Sequence, residues 1–500
     1  MNKDILPYSV WPSSNLKELE KIASKKNNIT SYDLMQRAGL AVYKKICSIW
    51  PKTKHWLILV GPGNNGGDGY VVARLAYLAS INVTVISSTN NQHLITDHTE
   101  TNKSRQDWID TGNKIYNVNA EWPDKIDLIV DALFGYGINR KPDKSCALLI
   151  QRANLHHAQK FSIDMPSGLN AATGAPLGEV IHANHTMSLI ALKPGQITGK
   201  ARDYIGKLHF SALGLENYIF NQKTSMERLD SSSIKKFLKT RIPSSHKGNH
   251  GKVLVIGGDK GFGGAIRMTA EAALRSGSGI VKVLTHKENI SPIITARPEL
   301  IVQELTNKLL LQKLNWAHVV AIGPGLGTRN ISKHVVSEVK KICKPMLWDA
   351  DALNVLASNK NKCNNRVITP HPIEAARLLE ITVQEVENDR VHAAKKLVNI
   401  YGGVVVLKGA GTIVVNEVGN ISFIDVGNAG MASAGMGDLL SGIIISLIGQ
   451  NYSLFDAARL GCLVHGAAAD AIALNHGMRC MIATDLFKYI RKLLNPEIIN

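Results

Sequence analysis

The sequence predicts an α/β protein of two domains, each built on a mainly parallel sheet. Three observations support this prediction. The chain has 500 residues, enough for about two to four domains. Apolar runs of strand length alternate with helical patterns in both halves. A polar, serine-rich and charged stretch near Gly214–Lys247 separates the halves, and we predict that it is a linker with a short helix at Ser233–Lys239.

In the first half, the run HWLILVG at 55–61 predicts a buried strand that leads into a glycine-rich turn. A helix is predicted over 68–80 and another strand over 82–87. Two later apolar runs, IDLIVDALFGYG and KFSIDMPSGL, meet carboxylates at Asp131 and Asp164. Since ligands of parallel sheets bind beyond the carboxyl ends of the strands, we expect both aspartates to point into that crevice.

The second half starts again with strand, glycine turn, helix and strand over 251–285. The segments HVVAIGPGLG and PMLWDADAL predict strands that end in loops, and GGVVVLKGAGTIVVN predicts two strands joined by a glycine turn. The apolar segments AGMGDLLSGIIISLIG and GCLVHGAAADAIALNHG predict helices. No residue-level repeat relates the two halves, so we expect two different domains.

The charge balance is basic, with 58 lysines and arginines against 40 aspartates and glutamates, a net charge of +18. Such an excess can serve nucleic acids, anionic membranes or phosphorylated ligands. The basic residues are scattered, however, aromatic residues make up 6% of the chain, and no nucleic-acid motif is present. We therefore expect a lysine-rich solvated surface and no nucleic-acid partner.

Cysteine usage and apolar runs indicate the compartment. The six cysteines form no C-x-x-C pair, which argues against a disulfide framework or a zinc ribbon. The N-terminal sequence lacks the apolar core and cleavage pattern of a signal peptide. The longest apolar run, near Ile443–Leu447, is far below the roughly 18 residues of a membrane span. We expect a cytoplasmic protein with no membrane partner.

The densest motif of the first half is GPGNNGGDG at Gly61–Gly69, between a predicted strand and a predicted helix. Its backbone N–H groups can bind an anion. Three of its glycines fit G-x-G-x-x-G, but the next strand ends in VISSTNN without the expected acid, which argues against a hydride-transferring dinucleotide fold. The polar residues Asn64, Asn65 and Asp68 remain unusual, and the alternative is a tight turn that uses Asn and Gly for positive φ.

A cation site is the second hypothesis for this half. Oxygen atoms of Asn65, Asp131 and Ser167 can together hold a hard monovalent or divalent cation. The alternative is that each acid caps a helix.

Three motifs in order, GPGNNGGDG, DALFGYGINR and SIDMPSGLN, resemble the YjeF N-terminal family of NAD(P)HX epimerases. The resemblance covers about the first two fifths of the chain and implies a Rossmann-like three-layer sandwich, which we place at 1–217. It implies potassium bound through Asn65, Asp131 and Ser167. It also implies contacts to the hydrated nucleotide from Asn64, Asn65, Gly66, Gly67, Asp68, Gly135, Tyr136, Gly137, Ile138, Asn139, Arg140, Lys141 and Asp164.

Epimerising a hydrated nicotinamide ring removes and restores a hydroxyl group, and a carboxylate that exchanges a proton suits that step. We assign this role to Asp164 first and to Asp68 second. The alternative for either residue is that it only orients the ligand.

In the second half, VGNAGMASAGMGDLLSG at 426–442 is the candidate phosphate site, because a Walker A motif is absent. The small residues Ala434, Gly435 and Gly437 let backbone N–H groups approach an anion. Asp438 stands at the start of an apolar helix. It can cap that helix, or it can take a proton from a hydroxyl group that attacks phosphorus; the motif alone leaves both interpretations open.

Two more motifs bear on this choice. The turn KGAGT at Lys408–Thr412 combines a lysine, two glycines and a hydroxyl group, which suits a nucleotide phosphate or ribose. The segment TPHPIE holds His371 between two prolines, although an ordinary proline turn would look the same.

With GGDKGFGGA, GPGLG and DADAL, these motifs resemble the ribokinase-like fold and, within it, the ADP/ATP-dependent NAD(P)HX dehydratases. The resemblance implies a dehydratase domain, placed at 226–498, with ADP or ATP as co-substrate and magnesium. It implies that Ala265, Gly327 and His371 touch the hydrated cofactor and that Asp438 is the catalytic base. The residues it implies for the adenine nucleotide are Lys408, Gly409, Ala410, Gly411, Thr412 and Gly437.

Two residues depart from the family pattern. Ile373 stands where the family often has Gly and can alter the loop that carries His371. Met436 stands where it often has Thr and removes a hydroxyl group near the phosphates. We expect activity to be retained.

Together, the two resemblances predict a bifunctional metabolite-repair enzyme. The first domain would interconvert the R and S forms of hydrated NADH and NADPH, and the second would dehydrate the S form at the expense of ADP or ATP. We expect a homo-oligomer of tetramer size or larger. The alternatives are a phosphotransferase acting on a vitamin or sugar hydroxyl group and a nucleotide-binding sensor or scaffold.

Overall fold

The chain divides into two compact units between Met226 and Glu227 in the computed structural model, which describes residues 5–89 and 99–495. Each unit is an α/β body with its own sheet, and the predicted fold class is confirmed. The predicted domain bounds, 1–217 and 226–498, stay predictions.

The first unit has a seven-stranded sheet in which every pairing is parallel. The strands of this sheet are β2 (His55–Val60), β3 (Asn82–Ser87), β4 (Ile115–Tyr116), β5 (Leu128–Ala132), β6 (Gln159–Ile163), β7 (His185–Leu189) and β8 (Lys207–Ser211). The two-residue strand β1 (Ser9–Val10) precedes them in the chain and is not part of this sheet. The sheet has the order β4-β3-β2-β5-β6-β7-β8.

Helices cover both faces of this sheet, as the continuous apolar strands predict. In β2, Ile58 and Val60 join one hydrophobic cluster and Leu57 and Leu59 join another on the opposite face. The helices of the first unit are α1 (Ser13–Lys26), α2 (Ser31–Ile49), α3 (Asn64–Leu78), α4 (Thr99–Ile109), α5 (Lys144–Leu155), α6 (Ala201–Tyr204) and α7 (Glu216–Ile219).

The second unit has a mixed sheet. Its strands are β9 (Met226–Leu229), β10 (Lys252–Ile256), β11 (Ile280–Thr285), β12 (Ile301–Glu304), β13 (Val319–Ile322), β14 (Met346–Trp348), β15 (Arg366–Ile368), β16 (Val404–Leu407), β17 (Ile413–Asn416) and β18 (Ile421–Ile424). They lie in the order β9-β18-β17-β16-β15-β14-β13-β10-β11-β12. The pairs from β12 to β16 are parallel, and β17 pairs antiparallel with both β16 and β18, which confirms the predicted strand pair around KGAGT.

The helices of the second unit include the two long apolar ones that the sequence predicts near the end. They are α8 (Ile234–Phe237), α9 (Gly263–Arg275), α10 (Ile290–Ala296), α11 (Asn307–Trp316), α12 (Asn330–Lys340), α13 (Asp351–Ser358), α14 (Pro372–Leu379), α15 (Val383–Asn388), α16 (Arg390–Tyr401), α17 (Met436–Gly449), α18 (Leu454–His476) and α19 (Leu486–Leu493). By length and composition α18 alone among the described helices could cross a membrane, but 72% of its apolar window is buried in the protein, as in a core helix.

The predicted linker at Gly214–Lys247 is wrong in part, because this stretch contains α7 and β9. The short helix predicted at Ser233–Lys239 is present as α8. The strand β9 lies beside β18, and Leu229 and Ile234 belong to the hydrophobic core. The apolar pattern did not predict β9 because the strand contains Arg228. This arginine is buried and ion-paired, with its Nε 2.5 Å from Asp425 and its Nη2 3.0 Å from Asp230. A paired charge inside a strand breaks the apolar pattern without breaking the strand.

The helix after β2 begins at Asn64, four residues earlier than predicted, so most of the glycine-rich motif is helical. Its glycines are there for close packing. A Cβ on Gly66 would lie 2.0 Å from the carbonyl oxygen of Gly61, and one on Gly69 would lie 2.6 Å from the Cβ of Ala132. The motif glycines and asparagines keep negative or extended φ, so the positive-φ interpretation of this motif is wrong.

The helices α9 and α17 pack closely in the core of the second unit, and α17 carries Asp438 in its first turn. Gly442 permits this approach, because a Cβ there would lie 2.2 Å from the carbonyl oxygen of Thr269 and 2.5 Å from the Cβ of Ala272. The position of the candidate catalytic helix therefore depends on glycine, which has no side chain, at position 442.

We expect Gly442→Ala to lower the free energy of unfolding of the second unit by about 1–3 kcal/mol, because the methyl group must push backbone away from backbone. Urea denaturation measures the change. The matched control is Gly264→Ala in α9, where a Cβ would meet no atom within 4 Å, and which we expect to be neutral or stabilising by up to about 1 kcal/mol. Equal transition midpoints for the two variants would contradict the close-packing argument.

Candidate active sites

In the first unit, Asp131 at the end of β5 is fully buried in a hydroxyl-rich network. Its Oδ2 accepts hydrogen bonds from Ser162 Oγ and from the backbone N–H of Ser167, both at 2.8 Å. Its Oδ1 accepts from Ser167 Oγ at 2.5 Å. Burial raises the pKa of Asp131, and the hydrogen bonds from Ser167 and Ser162 oppose that shift. The structure thus brings together two of the three predicted cation ligands.

The third, Asn65, lies in the first turn of α3 and is 8% exposed. Its Nδ2 finds no hydrogen-bond partner among the described residues. Its Oδ1 is 3.4 Å from where a Cβ on Gly135 would stand, and Asp164 Oδ2 is 3.3 Å from the same point. Gly135 therefore leaves room where Asn65 and Asp164 converge.

Asp164 follows β6 with a left-handed backbone, at φ 63°. Its Oδ2 accepts a hydrogen bond from the backbone N–H of Tyr136 at 3.1 Å, and its Oδ1 accepts from that of Leu189 at 3.2 Å. The main-chain carbonyl of Asp164 accepts from Gln196 Nε2 at 2.8 Å. Loops from three neighbouring strands thus fix this carboxylate at the carboxyl edge of the sheet.

Lys193 is a site residue that the sequence reasoning missed. Its side chain is 1% exposed, and its ammonium forms an ion pair with Asp164 Oδ1. It also donates to the carbonyl of Leu189 at 2.9 Å and to Ser188 Oγ at 3.2 Å. Burial lowers the pKa of Lys193, and Asp164 acts in the opposite direction. A lysine inside the apolar run SLIALKPG is the signal that could have revealed it.

Two further carboxyl groups lie near Asp164. Burial, together with the charges of Asp164 and Glu20, raises the pKa of Asp68 well above its ordinary value. Glu20 on α1, also missed by the sequence reasoning, has its pKa raised by burial and by Asp164. Three carboxyl groups and one lysine therefore share this region, and the two raised pKa values favour protonated carboxyl groups that can donate to a ligand.

The other residues of the first unit that are predicted to contact the nucleotide differ in burial. Tyr136 lies at the site, with its ring centroid 5.9 Å from Lys193 Nζ. Gly66 and Gly67 are buried inside α3, and Asn64 is exposed at its start. Further along the loop after β5, the structure leaves Ile138 half-buried and four predicted residues exposed: Gly137, Asn139, Arg140 and Lys141.

In the second unit, a lysine–carboxylate pair joins the ends of two strands. Lys408 follows β16 and places Nζ 2.9 Å from Oδ1 of Asp349, which follows β14. The other oxygen of Asp349 accepts from Ser441 Oγ at 2.7 Å. Lys408 Nζ is also 3.8 Å from Oε2 of Glu374. Although burial alone lowers the pKa of Lys408, Asp349 and Glu374 together raise it, so the ammonium stays charged.

Asp438 is in the first turn of α17, whose N-cap is Gly435 at φ 87°. The capping interpretation of Asp438 is therefore wrong. Burial and the charge of Asp349 raise the pKa of Asp438 to about 7, against the effect of Lys408. Beside it, a Cβ on Gly437 would stand 3.3 Å from Lys408 Nζ, so glycine keeps the ammonium close to the start of the helix.

His371 caps α14. Its Nδ1 accepts hydrogen bonds from the backbone N–H groups of Ile373 at 3.1 Å and Glu374 at 3.4 Å, and Glu374 Oε2 accepts from the backbone N–H of His371 at 2.8 Å. Burial and Lys408 lower the pKa of His371. The imidazole is therefore neutral and fixed, and its ring stays half-exposed for a ligand.

The remaining predicted residues follow strands at the same edge of the sheet: Gly327 lies on the loop after β13, and Ala265 lies near the start of α9, after β10. Gly327 donates its backbone N–H to Asp351 Oδ2 at 2.8 Å. Ala265 is half-buried at the start of α9, and Gly325 approaches it: a Cβ there would lie 3.4 Å from that of Ala265.

A buried arginine holds the KGAGT turn through hydrogen bonds to main-chain carbonyl groups. Arg390 Nη2 donates to the carbonyls of Leu407 at 3.2 Å and Lys408 at 2.9 Å. The hydroxyl of Thr412 donates to the carbonyl of Gly409 at 2.9 Å. Gly409 and Ala410 are exposed, whereas Gly411 is buried. The turn therefore presents Gly409 and Ala410 to solvent.

The two departures from the family pattern differ in burial. Ile373 is 57% exposed in the first turn of α14, and its backbone N–H still reaches His371. Met436 is 5% exposed and belongs to the hydrophobic core. Its side chain therefore serves the packing of α17.

Comparisons with known proteins agree with this division of the chain. A family model described as YjeF-related protein N-terminus matches residues 31–195, and one described as NAD(P)H-hydrate dehydratase matches residues 253–492. The chain is 52% identical over 493 residues to the bifunctional NAD(P)H-hydrate repair enzyme of Escherichia coli K12, covering 99% of this chain and 95% of that protein. It is 41% identical over 492 residues to the protein of the same description from Vibrio cholerae, covering 98% and 99%.

Solved structures resemble about half of the chain. A ribokinase-like superfamily protein from Enterococcus faecalis has a TM-score of 0.51 and 25% identity, and covers 55% of this chain and 97% of its own. A hypothetical protein from Streptococcus mutans has a TM-score of 0.50 and 29% identity, and covers 54% and 98%.

We expect Lys193→Ala to lower the free energy of unfolding of the first unit by about 3–5 kcal/mol, because it leaves the buried Asp164 carboxylate without its cation. Chemical denaturation measures this loss. The control is Lys125→Ala on the exposed loop before β5, expected to change stability by less than about 0.5 kcal/mol. Pairing Lys193→Met with Asp164→Asn should restore part of the loss, and an Ala variant as stable as the control would refute the argument.

We expect Asp438→Asn to raise the melting temperature relative to the wild type, and by more at pH 8 than at pH 5. A carboxyl group whose pKa is raised to about 7 in the folded protein contributes stability at low pH that is lost as the pH rises through that value. The amide carries no charge at either pH. Calorimetry at both pH values measures the difference, with the exposed Glu299→Gln as the control. A pH-independent difference would rule out the buried charge.

Proposed function

The chain belongs to the family of bifunctional NAD(P)H-hydrate repair enzymes, and from that membership we propose how its residues perform the two reactions. It carries a YjeF N-terminal epimerase domain and a ribokinase-like dehydratase domain. We assign epimerisation to residues 1–217 and dehydration to residues 226–498. The observation that carries the assignment is that each unit has a buried lysine–aspartate pair where its strands end, beside a carboxyl group of raised pKa.

For epimerisation, the ring hydroxyl of the hydrated nicotinamide leaves as water when a carboxyl group protonates it, and water returns from the other face when a carboxylate takes its proton. Asp164 donates a proton to the leaving hydroxyl group and later takes one from the returning water. Lys193 keeps the Asp164 carboxylate oriented. Asp68, whose raised pKa favours the protonated form, is the second candidate for the donor.

Potassium fits the chemistry of the donors in this domain. Asn65, Asp131 and Ser167 offer amide, carboxylate and hydroxyl oxygens, the ligands that hard cations prefer, and Asp131 and Ser167 are in direct contact. We propose that these three residues hold the ion, which would supply positive charge near the phosphates of the nucleotide.

For dehydration, Asp438 takes the proton of the ring hydroxyl group, whose oxygen then attacks the terminal phosphorus of ADP or ATP, and AMP or ADP leaves. The ring-nitrogen lone pair then expels inorganic phosphate, and loss of a ring proton restores the dihydropyridine. A pKa of about 7 suits Asp438 for this step, because a general base works best near the operating pH.

The adenine nucleotide is held by the turn Lys408–Thr412 and by the start of α17 at Gly437. The ammonium of Lys408 and the N-terminal N–H groups of α17 both stabilise phosphate oxygens. Magnesium would neutralise charge on the transferring phosphate, and Asp349 and Glu374 offer carboxylate oxygens nearby. On the same loops, Ala265, Gly327 and His371 bind the hydrated ring.

A homo-oligomer of tetramer size or larger and a cytoplasmic location stay predictions. Two alternative functions predict different outcomes. A phosphotransferase would accumulate a phosphorylated product, and a nucleotide-binding sensor would bind its ligand without turnover.

The test uses mixed R and S epimers of hydrated NADH with ADP or ATP, followed by the return of reduced-nicotinamide absorbance and by chromatography of the epimers. We expect Asp438→Asn to abolish this return, at least a hundredfold below the wild type, while S alone still yields R. We expect Asp164→Asn to consume S at the wild-type rate and to leave R at the enzyme-free rate. Asn keeps the left-handed backbone at this position.

Three results would overturn the proposal. Wild-type consumption of R by Asp164→Asn would remove the epimerase role of that residue. A phosphorylated dinucleotide that accumulates in place of NADH would indicate the phosphotransferase. An Asp438→Asn variant that retains full turnover would remove the catalytic base.

A further inference from the structure

The second unit has a cavity of about 570 Å³ between α12 and α13, with α14 at one side. The helix α12 contributes Lys333, Ser337 and Lys340 at helical spacing, α13 contributes Asn354, and α14 contributes Arg377. Nothing in the two reactions described above uses these residues.

The charge of this cavity is one-sided. Of the ten residues that line it, three are cationic and none is acidic. Lys333 and Arg377 are exposed. Hydroxyl and amide groups make up most of the remaining lining, and such groups together with lysine and arginine are the donors that bind phosphate. The cavity therefore suits a phosphate-bearing ligand.

The cavity begins where the hydrated dinucleotide is proposed to bind. Its first lining residue, Thr328, follows Gly327 directly. Arg377 lies six residues along the chain from His371, which caps the same helix.

A chain of hydrogen bonds links the two places. Gly327 donates to Asp351, Asn354 donates to Asp351 Oδ1 at 3.3 Å, and Arg377 donates to the other end of the Asn354 amide. The hydrogen bonds and the lining residue Thr328 thus place the cavity next to the loop that carries Gly327.

We propose that this cavity binds the phosphate groups of the hydrated dinucleotide during dehydration, with Lys333 and Arg377 as the residues that determine its affinity. This inference rests on the proposed dehydratase function. The nicotinamide end lies at Gly327 and His371, and the phosphates extend outward between α12 and α13. ADP binds apart, at Lys408 and Gly437.

The test compares Lys333→Gln, Arg377→Gln and their combination with the wild-type full-length enzyme, using purified S-NADHX and S-NADPHX as substrates and ADP as co-substrate. We expect each single variant to raise KM for the hydrate about fivefold to tenfold and the pair more, whereas kcat and KM for ADP change less than twofold. The control is Lys341→Gln, for which we expect wild-type constants. Lys341 is an exposed lysine directly after α12 that pairs with Glu338 and does not line the cavity.

The two hydrates distinguish which phosphate is bound. An equal rise in KM for both indicates the pyrophosphate that they share. A larger rise for S-NADPHX indicates its additional phosphate on the ribose. Either result supports the proposal.

Unchanged KM values for both hydrates would overturn the proposal. If inorganic pyrophosphate then inhibits the wild type but not the variants, the cavity binds a separate anion and not the hydrate, which also overturns the proposal. Titration with NADPH, followed by its fluorescence, measures binding without turnover. A wild-type enzyme that binds NADPH but never restores reduced nicotinamide from the hydrates would contradict the dehydratase function itself. In that case KM cannot be measured, and weaker NADPH binding by the Lys333 and Arg377 variants than by the wild type would still support the cavity assignment.

Discussion

The energetic cost of burying charge is the constraint on which both sites depend. An ionised group removed from water must be paired, or it destabilises the fold by several kcal/mol. Each unit meets this cost with one lysine–aspartate pair at the carboxyl edge of its sheet, Lys193 with Asp164 and Lys408 with Asp349. In each pair the two residues come from loops after different strands. The pairs therefore hold those loops at fixed distances, and a ligand meets a site that is already formed.

In both sites the ion pair lies beside a second carboxyl group whose pKa is raised. The Asp349 carboxylate is occupied by Lys408 and Ser441, whereas Asp438 beside it has its pKa raised to about 7. In the first unit, Lys193 engages Asp164, and burial raises the pKa of the neighbouring Asp68. Each site thus combines a carboxylate paired with a lysine and a neighbouring carboxyl group whose raised pKa makes it hold its proton more tightly. Acid–base chemistry near neutral pH needs this difference.

Much of the fold and the aspartates at the strand ends could be predicted from the sequence, because apolar runs and the residues that end them are local patterns. Asp131 and Asp164 were found in this way. Lys193 was not, because its partner lies 29 residues away and the pairing depends on β6 and β7 being neighbours in the sheet. The strand β9 was missed for a related reason: the buried Arg228 is neutralised by Asp425, 197 residues away. Charges that are paired through the tertiary fold look like surface charges in the sequence.

The left-handed backbone at Asp164 has an evolutionary consequence. At φ 63°, asparagine and glycine fit with little strain, whereas alanine and branched residues are disfavoured. Neither permitted replacement keeps the acid, and each leaves the buried Lys193 ammonium without its carboxylate. A lineage that abandons the first reaction is therefore expected to replace Lys193 as well. Asparagine or glycine after β6, together with an uncharged residue in place of Lys193 and an intact second unit, would mark descendants that have lost epimerisation but still fold.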